Sequence, residues 1–320
     1  MIRNIFFLLF ICCSLNQKAF SQLYQYIDYN DRSLLLKEGW ELLYTQEGVK
    51  ITNFTKNLEG IAFSDKLDDV HYRIVMMDSL NQKLDEEEID VSKGFMHLPA
   101  FYMDDQATYY GPLFKKAYEL DWKKGKIKSY SNEFIRSKEA YLKQYFKLGG
   151  HELFNYIRKA ERKKYFILLH AYEDKVDTLF NIADPDDMLY MQPEGRTLSL
   201  ELVADYAYIL NNRESKLYKY ELSTRRMLDT VSLPSPNRGR KFPTYRLEQD
   251  AITHELYLIN SADKEGNFWR VKSEEGIQFE ALQIPQLSSM YHAKFHDGFM
   301  YNLFYLEDLN ASGIYKKPLY

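Results

Sequence analysis

The feature that most constrains the fold is a short strand–turn–strand unit that recurs along the chain. Its clearest copy spans residues 205–234, DYAYILNNRESKLYKYELSTRRMLDTVSLP. Three runs rich in aromatic and aliphatic residues alternate there with polar turns, which is the pattern of consecutive antiparallel strands. Similar units follow at 254–285 and 297–320. A chain built from such units is predicted to have an all-β repeat architecture.

The spacing of the units indicates which repeat architecture this is. Weaker copies occur in the first half, and successive copies are 37 to 57 residues apart, which is close to the length of a four-stranded propeller blade. We aligned the first strand of each copy on Tyr72, Tyr109, Phe166, Tyr206, Tyr257 and Phe299. The widest interval precedes Phe166 and contains the charged stretch NEFIRSKEAYLKQYF. This stretch is predicted to form a helical insertion around 132–163.

The segment KLYKYELSTRRMLDTVSLP resembles strand pairs of YVTN-like and related six- or seven-bladed β-propellers, and the resemblance covers residues 196–320. It implies an all-β β-propeller, for which six blades are favoured and seven are the alternative. Gly-His and Trp-Asp marks of WD40 repeats and the Asp boxes of sialidases are absent. The strand-like segment LYQYI at 23–27 is expected to close the ring by joining the last blade.

The N-terminal residues have the three-part plan of a secretory signal peptide. Arg3 precedes an unbroken apolar run over 5–13, and the sequence AFS at 19–21 offers small residues for cleavage before Gln22. We therefore expect a signal peptide at 1–21, a propeller domain at 22–320, and export to the periplasm or the extracellular space. The leader ending and the Asp-Ser/Thr-apolar triplets at Asp78, Asp177 and Asp229 resemble features of exported Bacteroidetes proteins.

Composition narrows the classes of partner. Both cysteines lie in the leader, at positions 12 and 13, so the domain at 22–320 contains no thiol for a disulfide or a metal. The net charge of −4 is well mixed along the chain, which disfavours nucleic acid as a partner. No apolar run is long enough to form a transmembrane segment. We expect a monomer without a transmembrane anchor.

Motifs of known chemistry are missing. The sequence has no nucleophile elbow, phosphate-binding loop, dinucleotide fingerprint or zincin helix. His292 and His296 are too widely spaced along one strand for a compact metal site. The segment DPDD at 184–187 lacks the spacing of a calcium loop. No metal and no cofactor are therefore predicted.

One constellation points to a ligand. In a propeller, the loops that lead into the innermost strands open onto the central channel. Basic or imidazole side chains occur in most of these predicted loops, and a ring of them would bind an anion; they are His97, His151, Arg196, Arg240 and His292. The alternative is scatter over exposed loops.

These observations favour an exported, non-catalytic binding or scaffold propeller with its ligand at the mouth of the channel. The partner would be a protein, or an anionic small molecule or carbohydrate. One alternative is a metal-dependent propeller enzyme, either a lactonase-like hydrolase or a lyase. Another is a carbohydrate-binding module, because aromatic side chains stack on sugars.

Overall fold

The computed structural model describes residues 32–68, 71–90, 102–103, 109–110, 117–130, 140–160, 163–184, 198–234, 245–250, 252–260, 267–282 and 293–319. Within these ranges the chain forms one short helix, α1 (Arg32–Lys37), and 24 strands that make six four-stranded sheets. None of the described helical residues forms a segment long and apolar enough to cross a membrane.

The sheets are numbered in chain order. Sheet 1 contains β2 (Ile51–Lys56), β3 (Gly60–Lys66), β4 (His71–Asp78) and β5 (Lys83–Asp90). Sheet 2 contains β6 (Tyr102–Met103), β7 (Tyr109–Tyr110), β8 (Ala117–Asp121) and β9 (Lys126–Tyr130). Sheet 3 contains β10 (Ala140–Leu148), β11 (His151–Ala160), β12 (Lys163–Tyr172) and β13 (Lys175–Asp184).

The second half of the chain has the same plan. Sheet 4 contains β14 (Leu198–Val203), β15 (Tyr206–Asn211), β16 (Lys216–Glu221) and β17 (Arg226–Ser232). Sheet 5 contains β18 (Tyr245–Gln249), β19 (Leu256–Asn260), β20 (Asn267–Lys272) and β21 (Gln278–Leu282). Sheet 6 contains β22 (Lys294–His296), β23 (Phe299–Leu306), β24 (Ala311–Pro318) and, outside β24, the early strand β1 (Glu41–Thr45).

The sheets are arranged around an axis. Every sheet is an antiparallel meander, and its first strand contacts the first strand of a neighbouring sheet in the pairs β6–β10, β10–β14, β14–β18, β18–β22 and β22–β2. Sheets 1 and 2 meet through β5 and β9. The first strands are therefore the innermost ones, and the chain is an all-β β-propeller.

Burial on both faces explains the composition of the strands. In β15, Ala207 and Ile209 pack against sheet 3, whereas Tyr208 and Leu210 point the other way and pack against sheet 5. Successive side chains of a strand point to opposite faces. A strand between two neighbouring sheets is therefore apolar at consecutive positions, which accounts for the aromatic-rich runs of the sequence.

The N-terminal part of the described chain closes sheet 6. Strand β1 pairs antiparallel with β24, with Thr45 opposite Gly313. Trp40 packs edge-on against Phe304, with ring centroids 5.0 Å apart, and Leu35 of α1 lies in the same core. Closure by an N-terminal strand is therefore observed, but the strand is β1. The predicted segment 23–27 lies outside the described residues.

The predicted helical insertion is wrong over the residues that the structure describes. Residues 140–160 form β10 and β11, joined by a turn at Gly149 and Gly150 with positive φ, and β12 begins at Lys163. Phe146 and Leu153 face the core between sheets 3 and 4 while the neighbouring charged side chains point outward, so the stretch follows the period of a strand. Residues 132–139 lie outside the described ranges.

The predicted alignment of the units was shifted by one or two strands. Tyr206, Tyr257 and Phe299 begin or lie in the second strands of their sheets, and Phe166 lies in a third strand. The first strand of sheet 4, LSLELV in β14, contains no aromatic residue. Aligning on aromatic residues therefore missed this innermost strand.

Candidate functional site

Four charged side chains meet where three successive innermost strands run side by side. We call them the axial cluster: Glu201 of β14, Arg246 and Glu248 of β18, and Lys294 of β22. The Lys294 Nζ atom lies 3.0 Å from both carboxylate oxygens of Glu248. The Arg246 guanidinium also donates to Glu248, and it donates at 2.6 Å to the carbonyl of Ala293.

The alternation of each strand directs these side chains. Leu198 and Leu200 of β14 pack against sheet 3, so Glu201 points to the other side. In β18, Tyr245 and Leu247 pack against sheet 4, and the intervening Arg246 therefore points toward sheet 6. Apolar packing on one side of each innermost strand thus fixes the charged groups on the other.

The cluster lies at the propeller axis. Glu201 on sheet 4 interacts electrostatically with Lys294 on sheet 6, although sheet 5 stands between these two sheets. Side chains of sheets 4 and 6 come close only where the innermost strands converge. The axial cluster is therefore part of the wall that these strands form around the axis.

Glu201 is the unusual member of the cluster. Burial and the nearby Glu248 carboxylate raise its pKa well above the ordinary value, and the opposing effects of Lys294 and Arg246 do not cancel this rise. Among the described residues it has no hydrogen-bond partner, whereas Glu248 accepts from both cations. Such surroundings favour the neutral, protonated form of a carboxyl group, which can donate a hydrogen bond.

The charges of the cluster indicate what it can bind. With Glu201 protonated, two cations stand against the single Glu248 carboxylate. The Lys294 side chain is 25% exposed, so part of it remains open to solvent. The cluster thus combines an ammonium donor with a carboxyl group whose surroundings favour its neutral form, and such a pair suits an oxyanion.

Four of the five residues of the predicted ring of cations lie outside the described residues, namely His97, Arg196, Arg240 and His292. His151 is described, and it begins β11, directly after the turn that follows the innermost strand β10. It therefore stands at the far end of β10 from the segment that leads into that strand. The ring stays a prediction for the other four residues.

His151 belongs instead to a buried hydrogen-bonded chain between sheets 3 and 4. Its Nδ1 lies 2.9 Å from Nε2 of His170, and Nδ1 of His170 lies 2.9 Å from the hydroxyl of Tyr220. The ring of His151 stacks on Tyr172 with centroids 4.1 Å apart. Arg225 interacts with the Tyr220 hydroxyl and forms an ion pair with Asp177.

The chain keeps His170 neutral. Burial is the main cause that lowers the pKa of His170 to about 4, and His151 and Arg225 lower it further. Arg225 donates to the Tyr220 oxygen, so the phenol proton is free to point at Nδ1 of His170. In that arrangement His170 carries its proton on Nε2 and donates to His151.

Sequence reasoning missed the axial cluster because it placed the first strands elsewhere. The signal was nevertheless present: Glu201 in LSLELV, and Arg246 with Glu248 in YRLEQ, occupy alternate positions of otherwise apolar strands. Charged residues with a period of two inside an apolar run indicate a buried strand with one functional side.

The described part of the chain contains no group of three or more His, Cys, Asp or Glu side chains that could hold a metal ion. The prediction that the protein binds no metal and no cofactor stays a prediction.

Comparisons with known proteins give only remote likenesses. No protein family matches the chain, and no curated protein matches it. Among solved structures, a calcium-binding protein, regucalcin, from Agrobacterium tumefaciens is 10% identical with a TM-score of 0.46, covering 85% of this chain and 92% of that one. A luciferin-regenerating enzyme is 12% identical with a TM-score of 0.46, covering 87% and 94%.

A third structure is the β-propeller domain of Cps50 (Swd1) from Myceliophteria thermophila. It is 8% identical with a TM-score of 0.44, covering 86% of this chain and 99% of that domain. All three likenesses are remote and concern the propeller fold alone.

Proposed function

We propose that the protein is an exported, six-bladed binding propeller that holds an anionic ligand at its axis. The six four-stranded sheets, each in contact with the next, support the blade count. The basic, apolar and small-residue segments at the N-terminus support export to the periplasm or the extracellular space.

The observation that carries the proposal is the axial cluster. Lys294 would contact an oxyanion through its solvent-facing side, and the protonated Glu201 would donate to a second oxygen. Glu248 and Arg246 would hold Lys294 in place. A carboxylate, a phosphate or an acidic sugar has this chemistry.

The predicted loop residues fit the same proposal by their positions in the sequence. His97, Arg196, Arg240 and His292 each precede an innermost strand, namely β6, β14, β18 and β22. In a propeller such segments lead to the channel mouth, and we propose that these four residues form an outer ring of anion contacts there.

A second candidate function is hydrolysis. The two carboxyl groups of the axial cluster stand in different surroundings, because Glu201 is poorly solvated and has no hydrogen-bond partner among the described residues whereas Glu248 is paired with two cations. Two carboxyl groups in contrasting surroundings are a common acid–base arrangement. Turnover of lactone substrates that is abolished by Glu201→Gln would favour this candidate over binding alone.

The first test replaces Lys294 with Met, which removes the ammonium but keeps the aliphatic length. Isothermal titration with phosphate, acetate, glucuronate and uncharged glucose should show anion binding weakened about tenfold, because a charge-assisted hydrogen bond is lost. The matched control is Lys272→Met, since Lys272 is an exposed lysine paired with Glu280 on an outer strand. Equal anion affinities for the two variants, or tighter binding of glucose, would contradict the proposal.

The pH dependence gives the same test a second readout. Glu201 donates only while protonated, so anion affinity should fall as pH rises through its raised pKa. Gln is neutral at every pH, and the Glu201→Gln protein should bind without this dependence. A fall in affinity of the same size in the variant would show that another group titrates.

Export has its own test. The leader predicts cleavage before Gln22, so N-terminal sequencing of protein recovered from the native host should begin at that residue. A mature protein that retains Met1 would rule out cleavage.

A further inference from the structure

Two buried polar side chains at the seam between sheets 6 and 1 each have a nitrogen atom without a partner. His296, the last residue of β22, is 4% exposed, and its Nε2 atom has no hydrogen-bond partner among the described residues. Asn57 follows β2 and is also 4% exposed; its oxygen accepts from the Gly60 N–H at 3.0 Å, but its Nδ2 atom has no partner in the described part of the chain. Such groups are uncommon in folded proteins, because an unpaired buried donor has lost its hydrogen bonds to water without a replacement.

The alternation of side chains along β22 and β2 directs His296 and Lys56 toward each other. Phe295 packs into the core between sheets 5 and 6, so His296 points away from that core. Phe54 of β2 packs against sheet 6, and Lys56, two residues later, points to the same side. Strands β22 and β2 are in contact, and Lys56 and His296 interact electrostatically.

The Lys56 ammonium donates to the Asn57 backbone carbonyl, but neither Lys56 nor His296 forms an ion pair with a carboxylate among the described residues. Burial lowers the pKa of Lys56, with Lys316 adding to the effect and Glu59 opposing it. Burial likewise lowers the pKa of His296; Lys56 lowers it further, while Asp250, Asp297 and Glu59 oppose this. Both basic groups would gain from a nearby negative charge.

The charged groups around Lys56 and His296 either have hydrogen-bond or ion-pair partners already or are exposed to solvent. Asp250 accepts from the backbone N–H groups of Ile252, Thr253 and Gly298 at 2.8, 3.2 and 3.0 Å. Asp297 and Glu59 are exposed to solvent, and Lys316 pairs with Glu41 at 3.2 Å. The nearest carboxylates therefore leave the unpartnered donors unsatisfied.

We propose that Lys56, Asn57 and His296 form a second binding site, for a small oxyanion such as a phosphate or carboxylate group. We call it the seam site. Its oxygen atoms would accept from the His296 Nε2–H, from the Asn57 amide and from the Lys56 ammonium. The seam site uses none of the four residues of the axial cluster, and it does not depend on the proposed function.

Binding at the seam site should take up protons. A bound oxyanion raises the pKa of His296 and Lys56 toward their ordinary values, so His296 becomes partly protonated near neutral pH. Affinity should therefore increase as the pH is lowered from about 7.5 to about 6, which is the range of an ordinary histidine.

The experiment titrates inorganic phosphate into the Lys294→Met protein, so that the axial cluster does not dominate the signal. Imidazole ¹⁵N spectra report on each histidine separately. The expected result is a saturable change at the His296 ring, together with net proton uptake when the calorimetric titration is repeated in two buffers of different ionisation enthalpy. No change at the His296 ring up to high phosphate concentration would overturn the proposal.

Matched variants complete the test. Lys56→Met should weaken phosphate binding about tenfold, whereas Lys216→Met, which changes a lysine of β16 with a 43% exposed side chain, should leave it unchanged. His296→Gln should retain part of the binding through its amide donor but lose the proton uptake, unlike the control His254→Asn at an exposed turn. If Lys56→Met and Lys216→Met bind phosphate equally and both are folded by circular dichroism, the seam site does not exist.

Discussion

At the residue scale, side chains that bridge neighbouring sheets form hydrogen bonds with buried polar groups. The Gln144 amide of β10 donates at 3.1 Å to the Leu200 carbonyl and accepts at 3.2 Å from the Leu200 N–H, as a neighbouring strand would. Asn155 donates to Gln144 and to the Leu198 carbonyl. One amide side chain thus continues the backbone hydrogen bonding from sheet 3 to sheet 4.

The His151–His170–Tyr220 chain gives a residue-scale prediction for stability. The unfolded chain binds a proton at His170 near pH 6.5, whereas the folded protein binds it only near pH 4. Between these values the unfolded state holds more protons, so the free energy of unfolding should fall as pH falls, by up to roughly 3 kcal/mol. Urea unfolding at several pH values between 7.5 and 4.5 measures this slope.

The control for this prediction is a pair of variants. His170→Gln removes the titrating group and should flatten the slope, although it lowers stability at pH 7.5 by breaking the chain. His254→Asn alters an exposed histidine and should keep the wild-type slope. An unchanged slope in His170→Gln would assign the pH dependence to other groups.

The sequence could identify single residues but not their partners. His151 was a candidate because the sequence placed it in a predicted loop at the channel mouth, yet it is bonded to His170 and through it to Tyr220, which lie on other strands. Such contacts depend on how sheets 3 and 4 pack, and no local pattern encodes that. For the same reason, the sequence did not reveal that Glu201 and Lys294 interact.

At the scale of elements, the outermost strands share an aspartate that binds the next sheet. Asp85 of β5 accepts from the Ile127 N–H of sheet 2 at 2.8 Å, and Asp229 of β17 accepts from the Ile277 N–H of sheet 5 at 2.7 Å. Asp177 of β13 pairs with Arg225 of sheet 4. In sheets 1, 3 and 4, an aspartate of the outermost strand is therefore a repeated link to the next sheet.

The Asp229 link can be tested by stability. Asp229→Ala removes the acceptor and leaves the Ile277 N–H unpaired, so the free energy of unfolding should fall by about 1–2 kcal/mol. Glu275→Ala changes an exposed acid in the adjacent turn and should cost less than about 0.5 kcal/mol. Equal effects from the two substitutions, measured by urea unfolding, would show that the contact does not stabilise the fold.

Elements were predictable where the local pattern was strong. Strands β15 to β17 lie where the turns of residues 205–234 place them, because polar turn residues bracket each apolar run. The stretch around 140–160 was mistaken for a helix because its lysines and glutamate suit either structure. Only the packing of Phe146 and Leu153 in the core between sheets distinguishes the two.

At the scale of the whole molecule, the propeller explains why an axial site exists at all. Repetition brings equivalent strands together around one axis, and residues distant in sequence, such as Glu201 and Lys294, become neighbours there. The repeat pattern of the sequence was sufficient to predict this class of fold. The site was not predictable, since it depends on which strand of each unit is innermost.

Closure by β1 is the other whole-molecule feature. The strand joins β24 after the chain has passed through all six sheets, so the ends of the described chain are held together by main-chain pairing and by the packing of Trp40 on Phe304. The sequence predicted an N-terminal closing strand on the grounds that propellers protect their edges. It misplaced that strand because β1 follows a helix that the aromatic pattern did not reveal.

We propose that an anion binds at the axis between Glu201 and Lys294, and crystals soaked in selenate and recorded at the selenium absorption edge can locate it. We expect an anomalous selenium peak beside Lys294, with a selenate oxygen about 2.7–3.2 Å from its Nζ atom, and no such peak in Lys294→Met crystals. Selenate peaks only at exterior lysines, with none between the innermost strands of sheets 4 and 6, would show that the axis does not bind an anion.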